Sequence, residues 1–197
     1  MLVIVYGYEG SGPTHWQRWL EGELQRRGVE ACFPELPTPA APRKDEWVEM
    51  LARVVEASPR PVSFVAHSLG CWAVDHFVKE HGTRNVRSAL LVAPPSPHLL
   101  FEAVETFLPP PRDRAAWAPI AARSLLVGSD NDDYTSAEEF AEIAEALGLR
   151  LELIPGAGHI NVDSGHGPWA FALDWALAES GAGKAGGSLV KIGRAHV

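Results

Sequence analysis

Three polar clusters in this chain each follow a short apolar run, and together they hold the side chains needed for nucleophilic chemistry. The run 62–66 leads into His67-Ser68-Leu69-Gly70, and a helix-like segment continues from Leu69. A strand that turns sharply at a serine and leaves as a helix pushes the hydroxyl out above a sheet, the setting of a nucleophile elbow with the pattern G-x-S-x-G. Small residues two before and two after the serine avoid a clash with neighbouring backbone. Gly70 supplies one, and Ala66 stands in the place of the first glycine with only a methyl group. The run 124–127 ends in Gly128-Ser129-Asp130-Asn131-Asp132-Asp133, and the run 151–154 ends in Pro155-Gly156-Ala157-Gly158-His159. A hydroxyl, an imidazole to take its proton and a carboxylate to orient the imidazole form a complete set for acyl transfer. Ser-x-Gly after a strand is weak evidence alone. Its agreement with the other two clusters is strong, because all three fall at strand ends and in the order Ser, Asp, His. Asp130, Asp132 and Asp133 compete for the acidic role.

These clusters need a frame that brings strand ends together. Apolar runs of strand length at 2–6, 31–33, 62–66, 89–93, 124–127 and 151–154 alternate with amphipathic segments. Several are apolar at both parities, as strands covered on both faces should be. Thr14 with Gln17, and Ser136 with Glu139, have the spacing of capping boxes, while Gly28 and Gly148 read as C-terminal stops. Trp47, Met50, Leu51, Val54 and Val55 make one apolar stripe, and a last helix starts near Pro168. The alternation predicts an α/β domain over residues 1–180: a mainly parallel sheet of about six strands with helices on both faces. Residues 94–119 interrupt it with seven prolines, either as a cap over a site or as a plain surface loop.

The stretches GSGPTHWQ (10–17), VAHSLGCWAV (65–74), SDNDDY (129–134) and GAGHINVDSGHGPW (156–169) resemble the bacterial serine hydrolases related to retinoblastoma-binding protein 9. The likeness spans roughly residues 1–177. It implies an α/β-hydrolase-type three-layer sandwich in which AHSLG is a usual form of the elbow. Ser68 is then the nucleophile, His159 the base, and Asp132 the acid, as the second member of an Asn-Asp pair; many relatives have proline next, where this chain has Asp133. Two backbone donors would hold the oxyanion, the N–H of Leu69 at the start of the helix and that of Tyr8 in the loop after the first strand. The expected activity is hydrolysis of small carboxyl esters through an acyl-enzyme, carboxylesterase-like. Thioesterase, amidase and acyltransferase chemistry use the same triad. A protein-interaction module with an idle triad is the alternative from another class, although no L-x-C-x-E segment is present.

Other features bound the partners. The net charge is −8, and the tail 181–197 adds three basic residues and no acidic ones, so the body is more acidic still. That argues against nucleic acid and against an anionic membrane surface; the small-molecule ester that the triad and the resemblance imply is the expected partner. The start, MLVIVYG, has neither a basic leader nor a long apolar stretch, and Cys32 and Cys71 do not suggest a disulfide framework. A cytoplasmic location follows as the expectation. The Asp130–Asp133 cluster fails as a calcium loop, since positions six and twelve are Thr135 and Ala141. Neither a metal nor a cofactor is expected. His15, Trp72 and Trp117 are candidate substrate-binding residues, whereas His67 is expected to pack on the far side of the elbow, and Asn161, Ser164 and His166 either brace the site or serve only their own loop. Residues 181–187 read as a flexible Gly/Ala tail, and KIGRAHV (191–197) matches the translation of a common sequencing adapter.

Overall fold

Side chains of successive strand residues point to opposite faces of a sheet, and here both parities are apolar. Val3 and Val5, Phe64 and Ala66, and Ala89 and Leu91 enter one core. Leu2 and Ile4, Val65, and Leu90 and Val92 enter another. A sheet that is apolar on both sides must be covered on both sides, and the helices between and after the strands do this. The computed structural model describes residues 1–181, and the expectations for the tail beyond them fall outside the described residues.

The strands are β1 (Leu2–Val5), β2 (Ala31–Cys32), β3 (Val62–His67), β4 (Val86–Val92), β5 (Leu125–Ser129) and β6 (Arg150–Ile154). They form one sheet in the order β2-β1-β3-β4-β5-β6, with every neighbouring pair parallel. The helices are α1 (Trp16–Arg26), α2 (Lys44–Ala57), α3 (Leu69–His81), the short α4 (Arg114–Trp117), α5 (Ala137–Leu147) and α6 (Ala170–Ser180). Trp16, Leu20 and Leu24 of α1 share a core with Ala172, Leu173 and Ala176 of α6. Trp47 and Leu51 of α2, Trp72 and Phe77 of α3, and Phe140 and Ile143 of α5 fill the other. This is the expected α/β-hydrolase-type sandwich.

Chain order reverses at β1, which lies between β2 and β3. The connections leaving β1 and β3 therefore diverge to opposite faces and open a crevice above the carboxyl ends of the strands. Ser136 and Glu139 do form a reciprocal capping box on α5, and Gly148 ends that helix in the left-handed conformation at φ 73°. The start of α1 differs from expectation. His15, not Thr14, is the N-cap, its ring nitrogen accepting the Gln17 N–H. Gln17 does not reach back as a capping partner; it is fully buried and donates to the carbonyls of Val5 and Val65. Among the described residues, no helix is long and apolar enough to cross a membrane.

Candidate active site

Ser68 sits between the last residue of β3 and the first of α3, with φ 52° and ψ −128°. A non-glycine residue at positive φ is strained. The strain survives because glycines on either side let neighbouring backbone come close. A Cβ on Gly70 would stand 2.5 Å from the Tyr6 carbonyl oxygen, and one on Gly7 would stand 2.7 Å from Ser68 Cβ. Both glycines are thus required by packing, and Gly7 brings the loop after β1 against the hydroxyl. The N–H of Leu69 belongs to the first turn of α3, where no carbonyl lies one turn back to receive it. In the facing loop, the amides of Glu9 and Gly10 are engaged by Pro39 and Gly7 carbonyls, while that of Tyr8 has no such partner among the described residues.

His159 Nε2 lies 2.9 Å from Ser68 Oγ, and His159 Nδ1 lies 2.9 Å and 3.2 Å from the two carboxylate oxygens of Asp132. A carboxylate accepts, so Nδ1 carries the proton and Nε2 is free to accept the serine O–H. The Asp132 side chain is wholly buried, which keeps water from competing for it. Asp132 also accepts the Tyr134 N–H at 2.8 Å. The other two acids are used differently: Asp130 accepts the Gly156 N–H at 2.7 Å, and Asp133 points to solvent. The structure therefore brings Asp132, and neither neighbour, to the imidazole. Above Ser68 opens a cavity of about 590 Å³ whose walls include Tyr8, His15, Leu69, Phe101, Tyr134 and Asn161. The arrangement can remove a proton from Ser68 and present the oxygen to a bound carbonyl.

The model of the serine hydrolase family matches residues 2–176. The chain belongs to the serine hydrolase family. It is 24% identical over 166 residues to the YdeN protein of Bacillus subtilis (strain 168), covering 83% of this chain and 87% of that one. The crystal structure of the B. subtilis ydeN gene product superposes with a TM-score of 0.79 over 92% of this chain and 98% of that one. A YdeN-like protein from Pectobacterium atrosepticum, 28% identical, superposes at 0.74 over 92% and 91%.

In this serine hydrolase the turn that carries His159 is held by a side chain at each residue from Gly156 to Ile160. Asp130, Ser129 and Asn131 accept the N–H groups of Gly156, Ala157 and Gly158. Ser164 Oγ accepts the His159 N–H, and Asn161 in turn accepts from Ser164. The His159 carbonyl accepts from His67 Nε2 at 2.9 Å, and the Ile160 carbonyl from Trp16 Nε1 at 2.9 Å. Gly158 takes φ 56° without steric cost, whereas the β-branched Ile160 at φ 49° is strained and needs these ties. Asn161 and Ser164 brace the histidine, whereas His166 closes its own loop through its N–H to the Asn161 carbonyl and sets its ring edge-on to Trp169.

His67 proved to be more than packing. It borders the cavity, and its ring lies between those of His15 and His159, at 5.0 Å and 5.1 Å. Burial, then the neighbouring His159 and His15, push its pKa well below the ordinary imidazole value. Burial lowers that of His15 to about 4, with His159 adding to the effect. Both rings are neutral at neutral pH. Because His15 Nδ1 accepts the Gln17 N–H, its Nε2 bears the hydrogen.

Trp72 and Trp117 do not reach the cavity, contrary to the expectation for them. Both are fully buried in the core under α3. Trp72 donates to the Pro95 carbonyl, and Trp117 to Asp75, whose other oxygen accepts the Arg112 N–H. They anchor residues 94–119, and that segment supplies Pro95, Leu99, Phe101 and Val104 to the cavity wall. Those apolar residues, together with Gln17 and Trp16, were missed because nothing in their local pattern marks them as facing a site.

Proposed function

We propose that this hydrolase cleaves small carboxyl esters through an acyl-enzyme, with Ser68 as nucleophile, His159 as general base and acid, and Asp132 as the group that orients the imidazole. The observation that carries the reading is the unbroken hydrogen-bond chain from Asp132 through His159 to Ser68 at the floor of an open cavity. Within the family, the motifs around Ser68 and His159 favour kinship with the bacterial relatives of retinoblastoma-binding protein 9.

In the first half-reaction, Ser68 Oγ attacks the ester carbonyl while His159 Nε2 takes its proton. The amides of Tyr8 and Leu69 receive the negative charge that forms on the carbonyl oxygen, each such donor being worth about 3–4 kcal/mol in the transition state. Collapse breaks the bond to the alcohol oxygen, which leaves with the proton from His159. Water then attacks the acyl-serine, His159 taking a proton from it. The acid departs and Ser68 regains its hydrogen. Free thiols at Cys32 and Cys71 fit a reducing cytoplasm as the place of action.

Hydrolysis of short-chain p-nitrophenyl esters by wild type and Ser68→Ala tests this directly. Activity that falls roughly 10⁵- to 10⁶-fold with loss of the hydroxyl supports it. An inert wild type that also resists a fluorophosphonate probe would mean an unactivated serine, and a non-catalytic interaction role would take its place.

A further inference from the structure

The two halves of an ester meet two different walls of this cavity, and the position of His159 decides which half meets which. We infer that the acyl group is apolar and lies on the wall built by residues 95–104, while the alcohol is polar and not anionic and lies on the wall carrying His15 and Asn161. This rests on the esterase reading above.

Attack by Ser68 Oγ produces a carbon with four substituents: Oγ itself, the oxyanion, the alcohol oxygen and the acyl carbon. The oxyanion goes to the amides of Tyr8 and Leu69. The alcohol oxygen must come within reach of His159 Nε2, because that nitrogen hands it a proton. The acyl carbon takes the direction that remains.

The sheet separates these directions. His159 belongs to the side of α1 and α6, where its neighbours Ala157 and Ile160 pack in the core shared by those helices. His15, the N-cap of α1, lines the cavity from that side, and Asn161, Val162 and Asp163 follow His159 in its own loop, two polar side chains flanking one apolar one. His15 offers a neutral N–H there, fixed in its tautomer by the Gln17 amide. Such a donor suits a hydroxyl or ether oxygen. The remaining wall joins the core of α2, α3 and α5: Leu69 and Val104 are buried in it, with Leu99 and Tyr8 packed against it. Phe101 meets the Tyr8 ring edge-on at 5.0 Å and is 43% exposed, and Leu100 beside it is 99% exposed. Leu99, Phe101 and Val104 thus form an apolar wall of the same cavity as the serine, open to solvent at Phe101, and this is a surface for a chain.

Charge narrows the alcohol further. Glu9 and Asp163 line the cavity, and among the described residues no Lys or Arg does. An anionic alcohol is repelled there. The product acid, ionised on release, meets the same field without a cation to retain it.

A pair of isomers tests the assignment. Glyceryl monohexanoate and hexyl glycerate contain the same atoms with the apolar and polar halves exchanged across the ester. Each kcat/KM is divided by that ester's rate of hydrolysis by hydroxide, which removes intrinsic reactivity. The expected result is at least a tenfold preference for glyceryl monohexanoate. Among glyceryl esters, kcat/KM should rise about two- to fourfold per methylene from acetate to hexanoate, as chain surface leaves water. Phe101→Ser and Leu99→Ser should each flatten that slope, with Tm measured alongside. No preference, or preference for hexyl glycerate, overturns the assignment on wild-type protein alone, and so does an unchanged slope in both variants. Turnover of p-nitrophenyl acetate with both isomers untouched also overturns it while the esterase reading stands. Absence of Ser68-dependent hydrolysis of any of these esters removes the esterase reading, and this assignment with it.

Discussion

Replacing His67 by Phe isolates the tie that holds the histidine loop from below. His67 Nε2 is the hydrogen-bond donor to the His159 carbonyl, at 2.9 Å, and the ring is buried among His15, Trp16 and His159. Phenylalanine fills a similar volume without the donor. A buried acceptor left unpaired costs about 1–3 kcal/mol, and a domain of this size loses roughly 2–4 °C of Tm per kcal/mol. The expected fall in Tm is therefore about 2–12 °C. The loop can recover part of this only by moving the carbonyl. Ile160, next in the chain, already sits at φ 49° and is tied to Trp16, so the movement passes to the imidazole. From 2.9 Å, a further displacement of about 1 Å takes Ser68 Oγ out of hydrogen-bond range of Nε2, and a misplacement of that size costs on the order of 10²-fold in rate. The assay is kcat on p-nitrophenyl acetate and the rate of fluorophosphonate labelling. His67→Gln, which keeps an N–H at similar reach, should recover most of both. Wild-type kcat in His67→Phe, or equal losses in the Phe and Gln variants, would refute the reasoning.

Separate Asn substitutions at Asp130, Asp132 and Asp133 should lower turnover unequally. Only the Asp132 change is expected to cost about 10⁴-fold, because an amide there favours the wrong imidazole tautomer; a comparable loss at either neighbour would displace Asp132 from its role. Stability should also fall on acidification. His15 and His67 resist protonation in the folded protein, whereas in the unfolded chain each titrates near 6.5. Their contribution is present above about pH 6.5 and is lost as pH falls below it, down to about 4 for His15, at up to about 1.4 kcal/mol per pH unit for each ring. Urea unfolding at several pH values should show a shallower slope for His15→Asn, which keeps an N-cap; parallel slopes would exclude His15 as a source.

The sheet was legible because burial on both faces leaves a local signature. Strands such as β3 and β5 are apolar at both parities, and the segments between them have helical spacing. Strand β4 begins at Val86, earlier than its apolar run suggests, because Ser88 is buried through hydrogen bonds to Ser63 and Glu179. A serine gives no hint of such distant partners. Ser68, Asp132 and His159 were legible for a related reason: each follows the carboxyl end of a strand within a few residues, and parallel strands bring those ends together.

What the tertiary structure decided is which polar groups near those ends face one another. The choice of Asp132 over Asp130 and Asp133 on geometry depends on where the chain goes within three residues of a turn. The role of His67 depends on a carbonyl 92 residues away, and that of Trp16 on one 144 residues away. Trp72 and Trp117 carry the residue type of a pocket lining, yet they point inward because Pro95 and Asp75 receive their N–H groups in the core. Periodicity reports the face a residue turns to its own layer. It carries nothing about the hydrogen-bond partner waiting there, because that partner is set by the packing of layers folded from distant parts of the chain.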